Sequence, residues 1–307
     1  MTSHLKRKRR SSTESRKHKI TTNASSDFTM TSFTIAVSSC ALFRHEIGDN
    51  NSKGVAFPFV KALTMVNQRL TELGVEERFV IIVIPTDSQD MNHLNQNIKK
   101  NNLKIDRVWE ITGEKNILDH LKEIKPVLYL STNPQDVKKA ITAGYGAATM
   151  FQRDCHEHSD EVLRVAFDGD GVLFSDESES VYKNKGLQAF FENERINENN
   201  AMEPGPLSKF FQALVNLQQK FNLQNCPIRT YLVTSRGTTS PGLRVLKTLQ
   251  GEKLEINEAF FLCGAHKGPV LKAINPHIFF DDQTPHVEGA LQNGVIGAHV
   301  PYGVRNE

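Results

Sequence analysis

Two carboxylates two residues apart sit at the centre of Val165-Ala166-Phe167-Asp168-Gly169-Asp170-Gly171-Val172-Leu173-Phe174. The apolar run before them reads as a buried strand. The glycines permit a tight turn that can curl around a small anion. Like charges this close are costly unless a cation sits between them. The stretch therefore suggests a divalent metal beside a nucleophilic carboxylate. An acidic turn that merely ends a strand is the plainer reading of a bare Asp-Gly-Asp.

The rest of the C-terminal half favours chemistry. Thr234 and Ser235 follow Tyr231-Leu232-Val233, and Lys267 follows Phe260-Phe261-Leu262 at the start of a helical stretch. Asp281 and Asp282 follow Ile278-Phe279-Phe280. Phosphoryl transfer needs such a set: a nucleophile in line with the leaving group, neutralised charge, and donors for the phosphate oxygens. Asp168 would attack phosphorus and become an aspartyl-phosphate. Asp170 would protonate the leaving oxygen, then activate water. Mg²⁺, which prefers hard oxygen ligands, would take Asp168, the Asp170 carbonyl and one or both of Asp281 and Asp282. Thr234 would bond a phosphate oxygen, Lys267 would offset negative charge, and Gly169 and Ser235 are candidate substrate contacts. Singly, Thr234 reads as a strand-end cap, Lys267 as a solvated charge, and Asp281-Asp282 as a helix N-cap. In this order they point jointly to phosphoryl transfer.

These residues need strands that end in one place. From Phe33 the apolar pattern alternates strand and helix. A strand and its exit loop are expected over 33–43 and strands at Phe79–Ile84, 107–111, 127–130 and 147–151, with helices at 57–73, 87–100, 116–124 and 134–143. After residue 162 the order repeats. A strand and catalytic loop are expected over 163–174 and strands at 228–233, 259–262, 277–280 and 296–300, with helices at 207–221, 242–249, 267–274 and 286–292. Such alternation predicts an α/β fold, a doubly wound parallel sheet whose ligands bind at the strands' carboxyl ends. Residues 175–206 form a polar insertion with one helical stretch near 185–194, placed to act as a small cap. Phe190 and Phe191 are expected on the buried face of that helix, with stacking on a base as the alternative.

The halves look like one unit used twice. At a shift of 150 residues, Lys125-Pro-Val-Leu-Tyr-Leu-Ser-Thr132 lies over Asn275-Pro-His-Ile-Phe-Phe-Asp-Asp282. At a shift of 130, Ser38 falls on Asp168 and Cys40 on Asp170. The first half keeps the scaffold without the acids. We therefore expect a basic disordered tail over 1–31, a degenerate α/β half over 32–151, a linker over 152–161 and a catalytic half over 162–307.

Charge separates along the chain. Residues 1–20 carry eight Lys and Arg against one Glu, net +7; the remainder carries 29 basic and 34 acidic residues, net −5. The mildly acidic body does not read as a nucleic-acid surface. Lys6-Arg7-Lys8-Arg9-Arg10 reads as a solvated tail, with nuclear import or a polyanion contact as alternatives. No apolar run approaches the roughly 20 residues that span a membrane, and Met1–Arg10 lacks the apolar core of a secretory signal. Cys40, Cys155, Cys226 and Cys263 are scattered and read as reduced intracellular thiols. Cys155-His156-Glu157-His158 lacks a second ligand pair at zinc-finger spacing.

The set Asp168-x-Asp170-x-Val172, Thr234, Lys267 and Asp281-Asp282 resembles the motifs of the haloacid dehalogenase-like phosphohydrolases. Arg164–Glu179, Cys226–Thr234, Lys267–Pro269, Pro276–Gln283 and Ala298–Val304 more closely resemble the cytosolic 5′-nucleotidase type I family, as do Val37–Phe43 and Ala56–Leu63. The likeness spans 33–304. It implies a haloacid dehalogenase-like core and Mg²⁺-dependent hydrolysis of nucleoside 5′-monophosphates, AMP and deoxynucleotides among them, in the cytoplasm. It also implies stimulation by ADP and a homo-oligomer. Another small phosphomonoester as substrate, or a non-catalytic nucleotide-binding role, are the alternatives. The sequence departs from the family pattern at Gly171, Ser235 and His266, which bears on substrate preference.

Overall fold

The computed structural model describes residues 32–44, 53–86, 91–109, 116–152 and 161–306. The basic tail 1–31, residues 153–160 of the expected linker and Cys155–His158 lie outside them.

Among the described residues, ten strands form one sheet. The first half supplies β1 (Phe33–Ser38), β2 (Phe79–Ile84), β3 (Arg107–Val108), β4 (Leu128–Ser131) and β5 (Ala147–Met150). The second supplies β6 (Leu163–Phe167), β7 (Ile228–Thr234), β8 (Glu258–Phe261), β9 (Ile278–Asp281) and β10 (Gly297–His299). The first half's helices are α1 (Ser39–Leu42), α2 (Phe57–Glu72), α3 (Met91–Lys100), α4 (Ile117–Ile124) and α5 (Pro134–Thr142). The second half's are α6 (Glu177–Ile196), α7 (Ser208–Gln218), α8 (Ser240–Gly251), α9 (Gly268–Ile274) and α10 (Thr284–Gln292).

The strand order is β3-β2-β1-β4-β5-β10-β9-β6-β7-β8. Read outward from the middle, both halves run fifth, fourth, first, second, third. Pairing within each half is parallel. The join is not: β10 meets β5 antiparallel, with Ala298 opposite Met150. The expectation of a parallel sheet is thus corrected at this seam. Two edge strands meeting head to tail close the sheet without a crossover helix, and alternation of strand and helix carries no trace of that choice.

Side-chain alternation along the strands builds three layers. Ile35 and Val37 of β1, Val165 and Phe167 of β6, and Phe280 of β9 point into one core shared by both halves. Phe59 of α2 and Phe210 of α7 meet there edge-on, ring centres 6.3 Å apart, and Phe167 stacks on Phe280 at 5.5 Å. The intervening residues face outward. Ala36 and Tyr129 join a core under the first half's helices, and Ala166, Tyr231 and Phe279 one under the second's. Both faces of the central strands are buried, so they read as unbroken apolar runs.

The insertion holds a longer helix than its sequence suggested. The α6 helix spans 20 residues and bends at Gly186, whose φ of 82° and ψ of 178° are not helical. Its buried residues are Ser178 and Glu194. Phe190 and Phe191, expected on that face, instead line a cavity. The helix seats itself through ion pairs, so polar residues take the inward positions.

Candidate active site

Strand order reverses between the parallel neighbours β6 and β9: the chain leaves β6 toward β7 and β8, and returns on the other side through β9 and β10. Such a switch point leaves a crevice at the strands' carboxyl ends. Asp168 stands one residue beyond β6, and its amide donates to the Phe280 carbonyl at 2.8 Å. Thr234 ends β7, Asp281 ends β9, and Lys267 stands immediately before α9. The side chains of Asp168, Thr234, Lys267, Asp281 and Asp282 are all buried.

Lys267 joins two of the acids. Its Nζ lies 2.8 Å from Asp168 Oδ1 and 2.7 Å from Asp281 Oδ2. Asp281 Oδ1 accepts from the Gln283 amide at 2.9 Å and lies 3.2 Å from His286 Nδ1. Asp168 Oδ1 also accepts from the Gly169 amide at 2.7 Å. Asp282 is different, because its Oδ1 is buried without a hydrogen-bond partner among the described residues. The Gly171 backbone packs against it: at φ +74° a Cβ there would sit 2.7 Å from Asp282 Cγ. Only a glycine allows this approach.

Electrostatics follow from crowding. Burial raises the Asp168 carboxyl to about 7; Asp281 and Asp170 add to the rise, and Lys267 opposes it. Burial likewise pushes Asp282 up to about 9, helped by the charges of Asp168 and Asp281. Burial also acts against ionised Asp281, but Lys267 and His286 together hold it below the usual carboxylate range. Lys267, although buried, is held above its ordinary value by Asp168 and Asp281.

Two acids therefore share one ammonium, and the third, Asp282, keeps a buried carboxylate oxygen with no donor among the described residues. Hard oxygen donors around an orphaned acceptor suit a small divalent cation. Asp168, Asp281 and His286 also offer atoms within 4.8 Å of one another. Both oxygens of Asp281 already have protein partners, whereas Asp282 Oδ1 is open. Among the acid pair, Asp282 has the freer ligand atom.

Above the acids lies a cavity of about 560 Å³. Asp168, Asp170, Thr234 and Ser235 line it, and Tyr182, Phe190 and Phe191 reach it from α6. Thr234 Oγ1 accepts from the Arg236 amide at 3.2 Å. Asp170 is held by a residue that the sequence did not single out. Arg236 donates from Nε to Asp170 Oδ2 and from Nη2 to Oδ1, both at 2.7 Å. Arg236 lies two residues past Thr234, in the same strand-exit turn. That proximity to a motif residue was the available signal. Glu194 and Arg244 had none, since their burial arises from packing between distant segments; His286 is half-buried and lies only five residues past its partner Asp281.

A family model described as 5′-nucleotidase matches residues 41–307. This chain belongs to the 5′-nucleotidase family. Human cytosolic 5′-nucleotidase 1B is 42% identical over 296 residues, which cover 87% of this chain and 48% of that protein. The chain thus spans about half the length of the curated relative it matches. A solved structure of a UDP-N-acetylglucosamine 2-epimerase candidate from Listeria monocytogenes is 10% identical, covering 87% of this chain and 78% of that one. Its TM-score is 0.19, too low for the likeness to inform the fold. No helix among the described residues is long and apolar enough to cross a membrane.

Lys267 gives a direct test of the cluster. Lys267→Met keeps the volume of the stem and removes the ammonium, leaving Asp168 and Asp281 without their shared cation. Turnover by a 5′-nucleotidase assay is expected to fall about 10²-fold, the scale for losing one preorganised charge partner. Thermal unfolding is expected to shift down as well, because a buried charge is left unpaired. Unchanged turnover would remove Lys267 from the site.

Proposed function

We propose that this chain is a Mg²⁺-dependent 5′-nucleotidase that hydrolyses nucleoside 5′-monophosphates, AMP and deoxynucleotides among them, to nucleoside and phosphate. The observation that carries this reading is the pair Asp168 and Asp281 on Lys267, with the unpartnered Oδ1 of buried Asp282 in the same acid cluster, at the switch point and beneath the cavity. A haloacid dehalogenase-like core accounts for the order in which these residues occur. Asp168, the Asp170 carbonyl and Asp282 would hold Mg²⁺, and Asp281 would orient Lys267. Bound there, the cation would neutralise the acids and the phosphate, allowing an anion to attack an anion.

Asp168 attacks phosphorus, and the bond from phosphorus to O5′ breaks as the aspartyl-phosphate forms. Asp170 gives its proton to O5′, and the nucleoside leaves. Water then attacks the aspartyl-phosphate, Asp170 takes its proton, and phosphate departs as the Asp168 carboxylate is restored. Thr234 and the Gly169 amide hold phosphate oxygens, Ser235 contacts the substrate at the rim, and Lys267 offsets charge on nucleophile and phosphate. Phe190 and Phe191, at the cavity wall, supply apolar surface for the base.

The matching strand order of the halves supports a duplicated unit whose first copy lost its acids. That copy keeps a crevice of about 360 Å³ lined by Ser38, Tyr129, Ser131 and Asn133. We assign the ADP stimulation implied by the family likeness to this crevice, and the same likeness supports a homo-oligomer in the cytoplasm.

The decisive assay is phosphate release from a panel of nucleoside 5′-monophosphates and small phosphomonoesters, with and without Mg²⁺ and ADP. Metal-dependent release from AMP or a deoxynucleotide, raised by ADP, is the expected result. Release confined to non-nucleotide esters would keep the mechanism and overturn the substrate, and no release at all would overturn the enzyme.

A further inference from the structure

Asp170 has two tasks in the reaction proposed above, and both require its carboxylate to be aimed. Arg236 holds it at two points, 2.7 Å from each oxygen. A fork of this kind fixes the plane of a carboxylate as well as its position. The guanidinium is itself buried, with 2% of its side chain exposed. Its remaining amino group donates to Glu194 Oε2 at 2.5 Å and to the Pro241 carbonyl at 3.1 Å. Arg236 is therefore fully engaged, with one side on the acid–base carboxylate and the other on α6.

Glu194 ties this arrangement to the insertion. It is completely buried, although it belongs to a helix whose surface is mostly exposed. Its Oε1 accepts from Ser178 Oγ at 2.7 Å and from Arg244 Nη1 at 3.1 Å. Arg244 also donates to Glu177 at 2.5 Å and to the Asn200 carbonyl at 3.0 Å. Ser178 and Glu177 precede the bend at Gly186 and Glu194 follows it, so both arms of α6 converge on the two arginines. A chain of ion pairs runs from Arg244 on α8, through Glu194 on α6, to Arg236 and Asp170.

We propose that Arg236 is a positioning residue for Asp170, and that Glu194 makes this positioning depend on the seat of α6. The helix that walls the cavity also aims the acid–base group. This proposal rests on the role assigned to Asp170 above. A displaced α6 carries Glu194 away, removes one side of the hold on Arg236 and leaves the Asp170 carboxylate free to rotate out of line. An error of about 1 Å in such a group costs about 10²-fold in rate.

The test is a double-mutant cycle on kcat/KM for AMP, using the full chain with Mg²⁺: wild type, Glu194→Gln, Asp170→Asn and the pair. Acting through Asp170, Glu194→Gln should cost about 10- to 100-fold in the wild-type background and less than about 2-fold in the Asp170→Asn background. An equal loss in both backgrounds, or no loss in either, overturns the proposal. If Asp170→Asn itself costs nothing, the assigned acid–base role fails instead, and the two failures are distinguishable. Glu194→Gln leaves buried arginines short of charge and is accompanied by a thermal melt. Should it fail to fold, Arg236→Lys runs the same cycle, since it keeps the cation and gives up the two-point hold on Asp170. Non-additivity with Asp170→Asn is again the expected result, and additivity again overturns it.

Discussion

Asp168→Asn should abolish turnover, lowering kcat by at least about 10⁴-fold, the scale for loss of an activated nucleophile. The amide is nearly the same size as the carboxylate, and the backbone contact to Phe280 does not involve the side chain. The fold should therefore survive. Stability should even rise slightly, because Asp168 is a carboxyl that burial pushes up to about 7. Replacing it with a neutral group removes the cost of ionising it beside Asp281 and Asp170. The measurements are phosphate release from AMP and a thermal melt of the same preparation. Covalent labelling sharpens the outcome: wild type should trap phosphate on the protein during turnover, and the variant should not. Persistent turnover with an intact melt would move the nucleophile elsewhere.

How much of this was legible beforehand depends on what each residue's role requires. The run Phe79–Ile84 is apolar on both faces because β2 is covered on both, and its bounds were readable to the residue. Asp168, Thr234 and Asp281 stand at strand ends, where a shift from apolar to polar marks them in the sequence, and Lys267 stands at the start of a helical stretch. The antiparallel seam was not readable, since the residue types of β5 and β10 do not encode which way a neighbouring strand runs. Glu194 was hidden for another reason. It sits in a polar helix with weak amphipathicity, and its burial is created by Arg236 and Arg244 arriving from 42 and 50 residues away. Ion pairs of that kind have no local periodicity to read. The same network explains why Phe190 and Phe191 face the cavity: Ser178 and Glu194 already occupy the inward side of α6.

Metal removal should show most clearly as a change in how stability depends on pH. In the metal-free protein Asp168 stands at about 7 and Asp282 at about 9, against about 3.9 for an unfolded aspartate. Both folded values are raised, so between about pH 4 and 9 the native state holds protons that the unfolded chain has released. Stability from these groups is greatest at the acid end of that window and declines as pH rises through it. Asp281 is lowered and Lys267 raised, so their contributions are level between pH 6 and 9 and do not oppose the trend. In EDTA the melting temperature should fall by about 5–10 °C from pH 6 to pH 9, the scale set by shifts of this size in a chain this long. Mg²⁺ should restore most of the loss, and more of it at pH 9 than at pH 6, because binding requires the acids to be ionised. Asp282→Asn removes the carboxylate with the open oxygen. It should flatten the metal-free profile, abolish most of the Mg²⁺ stabilisation and cost about 10³-fold or more in turnover of AMP. A melting profile in EDTA that is flat or rises with pH would show that the acids are not crowded as the geometry implies. A normal Mg²⁺ response in Asp282→Asn would place the cation on Asp281 instead, within reach of His286.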